Sequence, residues 1–193
     1  MATSTVQVCN LALARLGEDT ILSLDDGTVP ANLCKTHFDE ARDYVLADHP
    51  WTFALRRDDK PSRLSQIPSW EWSYAYQLPA DCLRVWQTDL DAFDPPLPWV
   101  VEGSTLLCNE SSVKLLYIAR VENPAQWTPH FVSTLSTYLA HLLAYPLTNS
   151  RAREQELMQD YQDRLEKAKE VDAQSAPGML EATSVSTLLR VRR

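Results

Sequence analysis

Cys34 and His37 stand three residues apart in a helical pattern, so one helix face offers two donors that suit a soft metal. A structural zinc takes four ligands, and no second pair lies at a matching spacing; the pair reads as a core thiol beside a boundary histidine. His130 and His141 share one face three helical turns apart, too far for a single ion. Carboxylates are abundant: Asp25-Asp26, Asp39-Glu40, Asp58-Asp59 and the trio Asp89, Asp91 and Asp94. Such pairs could serve a glycosidase as acid and base, but doubled aspartates in loops ordinarily make turns and solvated charge. Serine and histidine occur without the glycine-framed strand–turn–helix that a hydrolase nucleophile needs. No catalytic, cofactor or metal site is therefore expected. The residues with most to offer are six tryptophans. Trp51 and Trp86 are expected in the core. Trp70 and Trp72, in a proline-bounded loop, and Trp99 suit either the core or a partner interface as anchors.

The elements that must position these residues follow from periodicity and punctuation. Residues 3–5 offer N-caps for a first helix with a stripe of Val6, Cys9, Leu13 and Leu16, ended by Gly17. Pro30 opens a second helix carrying Leu33, Cys34, Phe38, Ala41 and Val45, closed by His49-Pro50. Trp51 and Phe53 then alternate as a short strand would. Residues 73–87 read as two strands around Pro79-Ala80-Asp81, residues 99–108 as a hairpin turning at Glu102-Gly103, and residues 113–121 as the strongest strand. Together they predict one antiparallel sheet of four to six strands. Thr128-Pro129 starts a third helix with Phe131, Leu135, Tyr138, Leu139, Leu142 and Leu143, ending near Pro146. Asn149 or Ser150 caps a charged fourth helix to about Val171, with a narrow stripe of Leu157, Met158, Tyr161, Leu165 and Ala168. Pro177-Gly178 breaks any continuation. The expected fold is α+β, mainly α. An antiparallel helical bundle is formed by residues 1–57 and 128–172, a small antiparallel β region is inserted over 58–127, and an extended C-terminal docking arm covers 173–193.

Bulk properties narrow the function. Residues 1–172 hold 15 Lys and Arg against 25 Asp and Glu, a net −10, whereas residues 173–193 hold Arg190, Arg192 and Arg193 against Glu181, a net +2. An acidic body argues against ordinary duplex binding, since affinity for phosphates comes from neutralising them. A helix-turn-helix reading of residues 6–47 is further disfavoured by Glu18, Asp19, Asp39, Glu40 and Asp43 and by the long linker. No apolar run reaches the roughly 20 residues that span a bilayer, and no signal-like segment opens the chain, so a soluble protein with no membrane partner is expected. The four scattered cysteines lack a CxxC pair and read as reduced, small apolar residues.

Three stretches, VCNLALARLGEDTI, SLDDGTVPANLCKTHFDEARDYVLADHPWTFA and AYQLPADCLRV, resemble the head–tail adaptor proteins of short-tailed bacteriophages, the T7-type tail tubular protein A. The resemblance is strongest over residues 6–54 and 74–85, and the closing SVSTLLRVRR is similar to the family's apolar-basic end. It implies a virion structural protein rather than an enzyme, assembled in the host cytoplasm and placed at the head–tail interface. It implies a homo-oligomeric ring, twelve-fold, that joins the portal protein to the tail nozzle protein and lets duplex DNA pass during ejection without binding it specifically. No catalytic or cofactor residue comes with it. In such a ring, Arg151 and Arg153 on the charged helix would meet a neighbouring subunit, and Val185, Leu188, Leu189, Arg190, Arg192 and Arg193 would dock on the portal or the next subunit. The alternative is a tail-associated carbohydrate-degrading enzyme that uses the loop carboxylates.

Overall fold

The computed structural model describes residues 4–65 and 70–175. It is mixed α+β, mainly α, with four helices and two small antiparallel sheets among the described residues. The chain divides into two compact units, one of residues 1–53 with 121–193 and one of residues 54–120.

The helical unit is punctuated by its caps. The Ser4 hydroxyl accepts from the Gln7 N–H to open α1 (Thr5–Leu16), and Gly17 closes it at φ 77°. Only a residue that tolerates the left-handed region ends a helix this way, and glycine does so without steric cost. Thr28 caps α2 (Val29–Asp48), which places Pro30 second rather than first in the helix. Thr128 caps α3 (Pro129–Thr148) with Pro129 as its first residue. The third helix ends two residues past the exposed Pro146, near where it was expected to, and Asn149 closes it at φ 52°, its N–H donating to the Tyr145 carbonyl at 2.9 Å. Ser150 then accepts from the Arg153 N–H and starts α4 (Arg151–Ser175). Residues 173–175, expected in an extended arm, are the last turn of this helix.

The central element is α3, which packs against α1, α2 and α4. Surrounded on three sides, it is buried nearly all round: Phe131, Leu135, Leu139 and Leu143 are fully enclosed, and so are Thr134, Ser136 and Thr137. Those hydroxyls are satisfied by the helix's own carbonyls, Thr134 donating to His130 and both Ser136 and Thr137 to Ser133, each at 2.9 Å. Leu142, expected on the apolar face beside Leu143, is only half-buried, whereas Leu143 is fully enclosed. Trp51 is fully buried, edge-on to Phe131 at 5.2 Å, with its indole N–H donating to the Val45 carbonyl at 2.9 Å. Residues 52–54 form a turn rather than the short strand expected after Trp51.

The second unit holds two three-stranded sheets, not one. In the first, β6 (Leu115–Ala119) lies between β1 (Leu55–Asp58) and β3 (Cys82–Thr88); in the second, β5 (Thr105–Cys108) lies between β2 (Tyr74–Gln77) and β4 (Trp99–Glu102). Strands β2 and β3, adjacent in sequence, belong to different sheets, and side chains of both sheets meet in one core that includes Tyr76, Leu106, Leu115 and Tyr117. The β4–β5 hairpin turns at Gly103-Ser104, one residue later than expected, with Gly103 at φ 59°. β3 carries two register shifts against β6, between Cys82 and Arg84 and between Val85 and Gln87. Each extra residue inverts the alternation, so inward positions fall at Cys82, Val85 and Thr88, three apart, instead of every second residue. Trp86, expected in the core, is thereby turned out and is 41% exposed, with the Arg84 guanidinium over its ring.

Candidate functional site

The residues of the sequence-predicted chemistry do not converge. Among the described residues no group of three or more His, Cys, Asp and Glu could hold a metal. Cys34 is buried against Cys9, and all four cysteines are free thiols. The hydrogen bond with Cys34, reinforced by burial, pushes the Cys9 thiol well above its ordinary range. His130 is exposed, while His141 donates from Nδ1 to the Glu154 carbonyl at 3.0 Å and ties α3 to α4.

The loop carboxylates hold the chain in place. Asp26 accepts from the Leu22 and Ser23 N–H groups, Asp89 from the Lys114 N–H, and Asp58 from the Lys60 N–H. Asp39 pairs with Arg42 at 2.9 Å. Asp91 accepts from the Thr88 N–H and hydroxyl through one oxygen and from the Trp99 indole, at 2.9 Å, through the other. Trp99 is thus half-buried and anchored within its own unit.

The surface offers several apolar protrusions instead. Trp70 is 76% exposed. It sits at a three-residue turn in which the Trp72 N–H donates to the Trp70 carbonyl at 2.8 Å across Glu71, whose φ of 70° is unusual for a glutamate. Such strain persists only where the surroundings or a function hold it. Trp72 is half-buried beside it. Leu22 is 91% exposed for a local reason that composition did not reveal: the Asn10 side chain clamps the backbone of Ile21 in both directions, at 2.8 and 2.9 Å. With Ile21 buried by that clamp, its neighbour must point to solvent. Phe93 and Val101 are further exposed apolar residues that were not anticipated.

Arg151 and Arg153 differ. The Arg151 guanidinium lies 5.5 Å from the centre of the exposed Tyr145 ring and faces outward. Arg153 is spent within its unit, donating to the Arg15 carbonyl at the end of α1 and to Glu156. The arginine of α1 is itself half-buried: burial, and then the nearby Arg164, lower the affinity of the Arg15 guanidinium for its proton. The predicted docking residues Val185, Leu188, Leu189, Arg190, Arg192 and Arg193 lie outside the described residues.

A cavity of about 580 Å³ lies in the β unit, lined by residues of β3 and β4 and by the segment that follows β2. No helix among the described residues is long and apolar enough to cross a membrane. Compared with protein-family models and with curated proteins, the chain matches none.

Proposed function

We propose that this protein is a head–tail adaptor of a short-tailed bacteriophage, a virion structural protein that forms a ring between the portal protein and the tail nozzle protein. The observation that carries the reading is the resemblance over residues 6–54 and 74–85, whose motifs are packing motifs. Cys9, Leu13, Cys34, Phe38, Val45 and Trp51 within them are buried and build the helical unit, Asp26 holds a turn, and Asp89 accepts from the Lys114 N–H. Exposed anchors such as Trp70 and Leu22 suit a protein whose work is done by surfaces. The helices form the bundle of the ring body, and residues 176–193 form the arm that docks on the portal or the next subunit. An acidic body lets duplex DNA slide through the lumen without sticking.

The test is to mix the purified protein with portal-bearing heads and image them. A ring seated below the portal supports the reading, and heads left bare refute it. Deleting residues 185–193 should leave a folded protein that no longer attaches; completion of heads at full efficiency by the truncated protein would remove the arm from the proposal.

A further inference from the structure

The cavity in the β unit has a property that a ligand pocket against a sheet face would lack. Side chains of a strand alternate between faces, so a cavity against one face is lined by every second residue. Here residues 82–85 of β3 and 99–101 of β4 line it consecutively. β3 and β4 are also the edge strands of their two sheets. The cavity therefore runs along two strand edges. The edge residues Leu83 and Val100 are half-exposed and Val101 is 37% exposed. Apolar strand edges of this kind are templates for pairing unless something covers them.

The chain contains a segment that fits. Residues 185–191, VSTLLRV, place Val185, Thr187, Leu189 and Val191 at alternate positions, and Arg190, Arg192 and Arg193 follow or interleave. This is the β-branched, period-two pattern of a strand, carried on a basic end. The exposed Glu102 ends β4 and the exposed Asp81 precedes β3, so acidic groups stand at the ends of the two edges, and the one charged residue of the lining, Arg84, lies with its guanidinium over the Trp86 ring. Residues 176–184 reach about 30 Å when extended, enough to cross to another molecule. We propose that residues 185–191 of a second copy add as a strand along the β3–β4 groove, so that copies join head to tail. The choice of a second copy rests on the ring reading. Each contact leaves a free groove at one end and a free tail at the other, the heterologous arrangement that forms a ring when its rotation closes.

Two variants of the full chain test it. Leu189→Asp with Val191→Asp disables the tail. Val101→Pro disables the groove. Glu102 and Thr105 flank the two-residue hairpin loop and form the hydrogen-bonded pair. Val101, opposite Leu106, therefore turns its N–H off the free edge, and proline removes that donor without breaking a hairpin bond. In sedimentation velocity, the unaltered protein should associate beyond the dimer as concentration rises. Either variant alone should associate at least roughly tenfold more weakly. An equimolar mixture, with one intact groove and one intact tail, should give a one-to-one dimer and nothing longer. The proposal is overturned if the unaltered protein stays monomeric, if the tail variant associates as well as the unaltered protein, or if the mixture yields no dimer. Association unchanged by the tail variant, together with normal attachment to heads, would discard this contact and leave the adaptor reading standing. The expected dimer without any attachment to heads would do the reverse.

Discussion

Asp172 is 7% exposed near the end of a helix that is otherwise charged and wet. One of its oxygens faces His49 Nε2 at 3.2 Å, and the carboxylate accepts from both the N–H and the hydroxyl of Thr52, the latter at 2.8 Å. It thus pins the last turns of α4 to the chain leaving α2. Burial alone would raise the carboxyl's pKa, yet the hydrogen bonds from His49 and Thr52 outweigh it and hold it below the ordinary carboxylate range. A carboxyl depressed in this way contributes stability above its unfolded pKa and loses it as pH falls through the folded value. Asp172→Asn should therefore cost about 1–3 kcal/mol at neutral pH, since it puts an amide donor among donors. The two melting curves should converge as pH falls into the acid range. A gap that stays constant from neutral pH to acid would show that the charge contributes nothing. This tie was half legible. The stripe Leu157, Tyr161, Leu165, Ala168 continues to position 172 at the same spacing, but an aspartate there reads as solvated until Thr52 and His49 are brought to it by the fold. Tyr161 makes the same point: its ring follows the stripe, while its hydroxyl finds Asp48 at 2.8 Å, a partner that no local pattern marks.

Two helix starts were legible because caps are local: Ser4 and Thr128 each place a hydroxyl within one turn of the N–H it accepts, whereas Thr28 caps α2 one residue before the start that Pro30 suggested. Strand partners were not, because β6 pairs with β1 and β3 across long stretches of chain and the bulges of β3 invert its alternation. Pro146 marked the end of α3 to within two residues, its ring exposed in the helix's last turn. The depth of burial ranks the expected damage. Leu135, fully enclosed on α3, should lose about 2–5 kcal/mol on truncation to alanine, and half-buried Leu142 distinctly less. Equal melting temperatures for the two variants would contradict the central placement of α3. The two arginines at the start of α4 separate in the same way. Arg151→Glu should impair ring assembly and leave the monomer's melting temperature nearly unchanged, because its contact with Tyr145 is at the surface. Arg153→Glu should lower the melting temperature as well, because it strips a donor from the Arg15 carbonyl. If Arg151→Glu assembles normally, the charged face of α4 is solvated and is not an interface.

At the scale of the whole chain, charge is the property that bears on the proposed passage of DNA. A net −10 over residues 1–172 opposes a duplex, and the +2 of residues 173–193 is too small and too local to reverse that. Neutralised phosphates release counterions, so a true DNA-binding surface shows affinity that falls steeply with salt, by about 0.9 in log–log slope per contact. Several basic residues of the described chain are engaged with neighbouring side chains. Lys35 pairs with Asp25, Arg42 with Asp39 and Asp43, Arg153 with Glu156, and Lys169 with Glu166. Arg15 and Arg164 donate to serine hydroxyls of α3. If subunits of this charge form the proposed ring, its net negative charge would repel a duplex at long range and limit adhesion. The purified protein should therefore bind duplex weakly, without sequence preference and with a shallow salt dependence in fluorescence anisotropy. Removing residues 185–193, which carry the three terminal arginines, should weaken even that residual binding. Tight binding by the monomer with a steep salt slope would mean that the duplex is held rather than passed, and the passive channel would have to be abandoned.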